Sequence, residues 1–150
     1  LPNEYLQEES KLITGTDGEK MSKSKNNIIN IFASENELKK QIKSIETDSK
    51  ELESPKEWRT CNLYNIYKLI ADENQIDTMK SKYEAGGYGY GHAKNDLFQL
   101  IIEKYSEERK KFNHYISNPN EVEEILVKGA EKASITADKV LSRVRKKLGY

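Results

Sequence analysis

Cysteine, proline and histidine are scarce in this chain, with one, three and two in 150 residues, and neither sign of charge is in excess: 25 lysines plus arginines face 25 aspartates plus glutamates. A lone Cys61 excludes an internal disulfide and a thiolate zinc cluster, which fits a reducing cytoplasm. His92 and His114 lie too far apart on one predicted helix to form a two-ligand metal site, so surface or capping roles are expected of them, and no metal ligands are assigned. No Ser-His-Asp or Cys-His arrangement points to nucleophilic catalysis. No apolar stretch is long enough to cross a bilayer, and no charged-then-apolar leader opens the chain, so neither membrane nor export is expected. The first residues, Leu1-Pro2-Asn3, lack an initiator methionine and read as the start of a fragment. With charge balanced, no global field draws the protein to nucleic acid, and any RNA contact must come from a local patch.

What is present is concentrated near the start. Residues 20 to 24 read Lys20-Met21-Ser22-Lys23-Ser24, behind the glycine-bearing turn Gly15-Thr16-Asp17-Gly18-Glu19 and ahead of Lys25-Asn26-Asn27. Two compact ammonium charges on flexible stems, interleaved with hydroxyls, suit a polyphosphate whose oxygens gain charge during a reaction. A contact formed only in the transition state lowers a barrier, which requires the loop to move. The plainer alternative is a lysine- and serine-rich surface turn. Asn26 and Asn27 are expected to serve the loop backbone, because short amides bond nearby backbone groups readily.

Beyond residue 33 the periodicity is helical, and the fold is mainly α. Ser34 with Glu37 makes a capping box for a helix whose Leu38, Ile42 and Ile45 share a face. Residues 47 to 60 lose the pattern, contain Pro55 and read as a connection that Trp58 plugs. Asn62 is expected to cap a second helix carrying Leu63, Ile66, Tyr67 and Ile70, and Asp72 with Gln75 to open a third, stopped by Gly86-Gly87. The alternating Gly86-Gly87-Tyr88-Gly89-Tyr90-Gly91 is a hinge, a platform for a stacked base, or a loop whose tyrosines pack on adjacent helices. One long helix from Ala93 to Tyr115 should end before Asn118-Pro119. Asn120 with Glu123 then opens a last helix with a seam running from Val122 to Leu148. Lys139, Arg143, Arg145, Lys146 and Lys147 follow one another without an acid, either as a solvated helix end or as an RNA patch. A short strand is expected at Lys11-Leu12-Ile13.

The lysine–serine pentapeptide matches the second signature of class I aminoacyl-tRNA synthetases, and its setting resembles the bacterial-type tryptophanyl-tRNA synthetase family. Ile45-Glu46-Thr47-Asp48-Ser49, Asn62-Leu63-Tyr64, Tyr67-Lys68-Leu69 and Ala85 to Gly91 before Lys94 carry the resemblance along nearly the whole chain, which matches only the back half of such an enzyme. Lys25 stands where the family usually has tyrosine. The resemblance implies residues 1–33 as the end of a Rossmann-like catalytic domain, 34–118 as a helical bundle for anticodon binding, and 119–150 as a helix packing back toward the catalytic domain. It implies activation of tryptophan with ATP and magnesium, transfer to tRNA(Trp), a homodimer and a cytoplasmic location. Lys20 and Lys23 would neutralise the departing pyrophosphate, with Met21, Ser22 and Ser24 shaping the site, and Tyr88, Tyr90, Lys94, Arg143 and Lys146 are the candidate tRNA contacts. The first, histidine–glycine signature is not in this chain, so the ATP site is expected to be incomplete and the lysine loop disordered and nearly inert. A free-standing RNA-binding module or an interaction scaffold without catalysis is the alternative.

Overall fold

In the computed structural model, which describes residues 13–149, six α-helices follow one another: α1 (Glu35–Lys43), α2 (Asn62–Lys68), α3 (Glu73–Ala85), α4 (Tyr90–Lys104), α5 (Ser106–Ser117) and α6 (Pro119–Leu148). The chain divides into two compact units, one ending at Glu107 and the other beginning at Glu108. The expected strand at Lys11-Leu12-Ile13 falls mostly outside the described residues. Among those residues the only β-type pairing is an isolated antiparallel bridge between Thr14 and Lys20. No described helix is long and apolar enough to cross a membrane.

In the first unit, α1 packs on α4, and α2 packs on both α3 and α4. The spacing of apolar residues explains why. Leu38 and Ile42 fall on one face of α1, and with Ile45 they are buried against Ala93, Leu97 and Ile101 in one core. Ser34 caps α1 by accepting from the Glu37 amide at 3.3 Å, but only that half of the expected capping box forms. The box at α3 is complete: Asp72 Oδ1 accepts from the Gln75 amide at 2.8 Å, and Gln75 Oε1 accepts from the Asp72 amide at 3.0 Å. Gly86 ends α3 at φ 75°, where a Cβ would meet the Glu53 carbonyl oxygen at 2.3 Å, so glycine is required twice over.

Three expectations are corrected. Asn62 is not the cap of α2; it is the first helical residue, Cys61 stands at the cap without a side-chain bond, and the Asn62 amide is spent elsewhere. The long helix breaks at Tyr105 (φ −104°, ψ 20°) into α4 and α5, because the buried face of α4 ends at Ile101 while α5 buries nothing. Ser106-Glu107-Glu108 also carries helix-start chemistry, a serine followed by acids. The last helix opens at Pro119 rather than after Asn120, since proline fits the first helical position, whose N–H needs no intrahelical partner. Gly149 closes α6 in the left-handed region, its amide donating to the Arg145 carbonyl. α6 buries none of its residues in this chain: Ile125, Leu126, Ile135 and Leu148 are each more than half exposed.

Candidate nucleotide-binding loop

The pairing of Thr14 with Lys20 closes a tight turn. Met21 donates its amide to the Ile13 carbonyl at 2.9 Å, Gly15 to Glu19 at 2.7 Å, and Gly18, at φ 78°, to Gly15 at 3.1 Å. Asn27 organises the residues between this turn and itself. It is 2% exposed, so each polar atom of its amide needs a partner inside the protein. Its Oδ1 accepts from the Ser22 amide at 2.7 Å, and its Nδ2 donates to Asp17 Oδ1 at 2.7 Å and to the Lys20 carbonyl at 3.2 Å. Its own carbonyl accepts from the Thr16 amide at 2.9 Å. The bond from Asn27 is the main reason the Asp17 carboxyl is held below its ordinary range. One buried amide thus ties both ends of the turn to the start of the lysine–serine sequence. The hydrogen bonds of Asn27 reach as far as the Ser22 amide.

The tip remains in solvent. Lys20, Lys23, Ser24, Lys25 and Asn26 are exposed, and Met21 is half-buried. The Ser22 and Ser24 hydroxyls lie 2.8 Å apart, and Asn26 turns the chain at φ 53°, a conformation asparagine tolerates better than most residues. Lys25 approaches Glu19 at 3.9 Å, an exposed pair of little energetic consequence. Behind the turn lies a recess of about 330 Å³ whose lining includes Asp17, Glu46, Asp48 and Glu57. Its acids would repel a phosphate, which leaves the exposed ammonium groups as the attractive side of the loop.

Gly15 lies where the turn crosses Asn27. A Cβ there would meet the Asn27 Cγ and carbonyl oxygen at 2.4 Å each. Gly15→Ala in the intact protein is expected to break the Asn27 bonds and speed hydrogen exchange at the Thr16 and Ser22 amides at least about tenfold. Unchanged exchange at those two amides would show that the turn does not depend on this close approach.

The other expected contact residues lie elsewhere. Tyr88 and Tyr90 are half-buried, with ring centroids 5.8 and 6.0 Å from that of Tyr83. The Tyr88 hydroxyl donates to Asp96 at 2.6 Å, and the Tyr90 hydroxyl to Asp48 at 2.7 Å. Burial first, and then these carboxylates, push both phenols upward. Of the three readings of the glycine–tyrosine loop, packing is what these rings and hydroxyls display. Lys94 donates to the Lys43 carbonyl at 2.8 Å, closing the C-terminal end of α1, and burial lowers its ammonium pKa. Arg143 and Lys146 are exposed on α6, in the second unit.

Two features were not legible in advance. Lys56 is 4% exposed, and its ammonium donates to the carbonyls of Glu51 and Leu52 at 3.1 Å and of Ser54 at 3.0 Å. A lysine in a connection rich in charged residues gives no hint of such burial. The second is a set of ties from the turn to the helices. Thr14 Oγ1 donates to Asn62 Oδ1 at 2.6 Å, Asn62 Nδ2 to the Gly15 carbonyl at 2.8 Å, and the Glu46 amide to the Thr16 carbonyl at 2.7 Å.

Comparison with known proteins gives the chain a family. The family model described as tRNA synthetases class I (W and Y) matches residues 3–106, and the chain belongs to this family. Within it, the chain is 44% identical over 149 residues to the tryptophan–tRNA ligase of Campylobacter jejuni, covering 99% of this chain and 47% of that protein. It is 38% identical to the tryptophan–tRNA ligase of Fusobacterium nucleatum, covering 99% of this chain and 46% of that one. The crystal structure of tryptophanyl-tRNA synthetase from Campylobacter jejuni complexed with ADP and tryptophan superposes with a TM-score of 0.89 at 45% identity, covering 93% of this chain and 44% of that one. The chain spans about half the length of the curated relatives it matches.

Proposed function

We propose that this chain is the C-terminal part of a tryptophan–tRNA ligase and supplies the loop that handles pyrophosphate. The observation that carries the reading is a loop whose backbone is tied by a buried Asn27 while Lys20 and Lys23 stay exposed at its tip. In the first half-reaction a carboxylate oxygen of tryptophan attacks the α-phosphorus of ATP. The bond from that phosphorus to the α–β bridging oxygen breaks, giving tryptophanyl-adenylate and pyrophosphate. Negative charge grows on the β- and γ-phosphoryl oxygens as that bond lengthens, and Lys20 and Lys23 meet it there. Ser22 and Ser24 stabilise the closed loop, and Met21 packs under it. In the second half-reaction the amino acid passes to tRNA(Trp).

Among the described residues no group of three or more His, Cys, Asp or Glu side chains could hold a metal ion. Magnesium is proposed to be carried mainly by the phosphates of ATP. Residues 1–33 are proposed to end a Rossmann-like catalytic domain whose remainder supplies the adenine and tryptophan sites. Residues 34–118 are proposed to read the anticodon, and 119–150 to pack back on the catalytic domain, a role supported by the exposed apolar seam of α6. The protein would act in the cytoplasm as a homodimer.

The family includes enzymes for tryptophan and for tyrosine, so the deciding experiment is amino-acid-dependent ATP–pyrophosphate exchange by the intact protein. Exchange with tryptophan is expected; exchange with tyrosine alone, or none, would overturn the reading. For the RNA side, Tyr88 and Tyr90 are proposed to set the start of α4, and Lys94, Arg143 and Lys146 to meet phosphates. Lys94 already serves the end of α1, so Arg143→Ala and Lys146→Ala should show the larger effects. Each should lower the slope of log affinity for tRNA against log salt by about one. A slope unchanged by both substitutions would remove them from the interface.

A further inference from the structure

We infer that Asn62 is a positioning residue for the lysine loop: from the first turn of α2 it holds the turn residue that pairs with Lys20. The inference rests on the pyrophosphate role proposed for that loop. Asparagine at a helix start ordinarily serves the helix by accepting from its free amides. Here that service is given up. Cys61 stands at the cap with no side-chain bond, and both ends of the Asn62 amide point at the turn. Oδ1 accepts from Thr14 Oγ1 at 2.6 Å, and Nδ2 donates to the Gly15 carbonyl at 2.8 Å.

The path from Asn62 to the reacting charge is short. Thr14 is the bridge partner of Lys20, so the bond to Thr14 sets the backbone against which Lys20 pairs. Gly15 donates to Glu19, closing the turn just before Lys20, and a Cβ on Gly18 would lie 4.0 Å from Asn62 Cγ, so the amide sits against both arms of the turn. Asn27 and Asn62 divide the work. Asn27 holds the loop together from inside, whereas Asn62 holds the whole turn to the helical body. An amide suits this place because one group must accept from a hydroxyl and donate to a carbonyl, 47 and 48 residues away in sequence. Misplacing an electrostatic group by a fraction of a bond length weakens transition-state stabilisation more than ground-state binding, which gives the role a kinetic signature.

The test uses the intact protein with Asn62→Ala, Asn62→Asp and Thr14→Val. Asn62→Ala is expected to speed amide exchange in residues 15–22 at least about tenfold without changing exchange in α3 and α4. It should also lower the single-turnover rate of adenylate formation about tenfold, with the half-saturating ATP concentration shifted less than about threefold. Asn62→Asp keeps the acceptor for Thr14 but sets a carboxylate oxygen against the Gly15 carbonyl, two acceptors facing each other, so it should lose at least as much as Asn62→Ala. Thr14→Val, which leaves α2 untouched, should reproduce part of the loss, and the Thr14→Val/Asn62→Ala double variant should be no slower than Asn62→Ala alone. Unchanged exchange in residues 15–22, or faster exchange spread evenly over all the helices, would overturn the inference, as would strictly additive losses in the double variant. Should Asn62→Ala not fold, Thr14→Val decides on the same readouts. If the wild-type protein activates no tryptophan, the functional reading fails by itself, while amide exchange still decides whether Asn62 holds the turn.

Discussion

Lys20→Ala or Lys23→Ala in the intact protein is expected to slow tryptophan-dependent pyrophosphate exchange about a hundredfold, with ATP binding reduced by no more than about threefold. The magnitude comes from the contact each ammonium would make. At about 4 Å and an effective dielectric of about 20, one lysine–phosphate pair is worth roughly 4 kcal/mol, a ceiling near a thousandfold in rate. Both lysines are exposed, so desolvation on closure removes part of that gain. The asymmetry between rate and binding arises because charge accumulates on the leaving phosphates only as the bond breaks. Exchange within about twofold of wild type in both variants would show that the loop's charge is incidental.

The second large effect concerns stability. Tyr83 is fully buried, with ring neighbours Tyr64 at 6.0 Å, Tyr88 at 5.8 Å and Tyr90 at 6.0 Å. Its carbonyl accepts from the Lys56 amide at 2.8 Å, which joins α3 to the connection containing the buried lysine. Tyr83→Ala removes the ring on which the glycine–tyrosine loop rests and is expected to cost about 3–5 kcal/mol in chemical denaturation. Tyr83→Phe should cost less than about 1 kcal/mol, because the hydroxyl's partner is the weak sulfur contact to Cys61 at 3.8 Å. Equal losses for both variants would place the stabilisation in the hydroxyl–thiol pair rather than in the ring.

Features governed by neighbours within a few residues were legible from sequence. The Asp72–Gln75 box, the Leu38–Ile42 face of α1, the glycine stop at Gly86 and the service of Asn27 to the loop backbone all arise from local chemistry, whereas Ile45 is buried beyond the end of α1. The motif from Lys20 to Ser24 was legible because glycines and asparagines flank it at close range. What escaped depends on partners far along the chain. Asn62 has standard cap chemistry, and only the folded chain brings Thr14 and Gly15 within its reach. Lys56 has the composition of a surface residue, and its burial depends on three carbonyls that the loop folds around it. The break at Tyr105 lacks glycine or proline, so helical periodicity ran straight through it until the core ended. Asn118-Pro119 reads as a stop for the preceding helix, although proline equally suits the first position of the next.

Single-turnover formation of tryptophanyl-adenylate, followed as a function of ATP concentration in the intact protein carrying Lys20→Met and Lys23→Met together, decides whether the two ammonium groups act on the departing pyrophosphate. The plateau rate is expected to fall at least about a hundredfold below wild type, with half-saturation moved less than about threefold. A plateau at the wild-type rate, with half-saturation alone displaced to higher ATP, would contradict it.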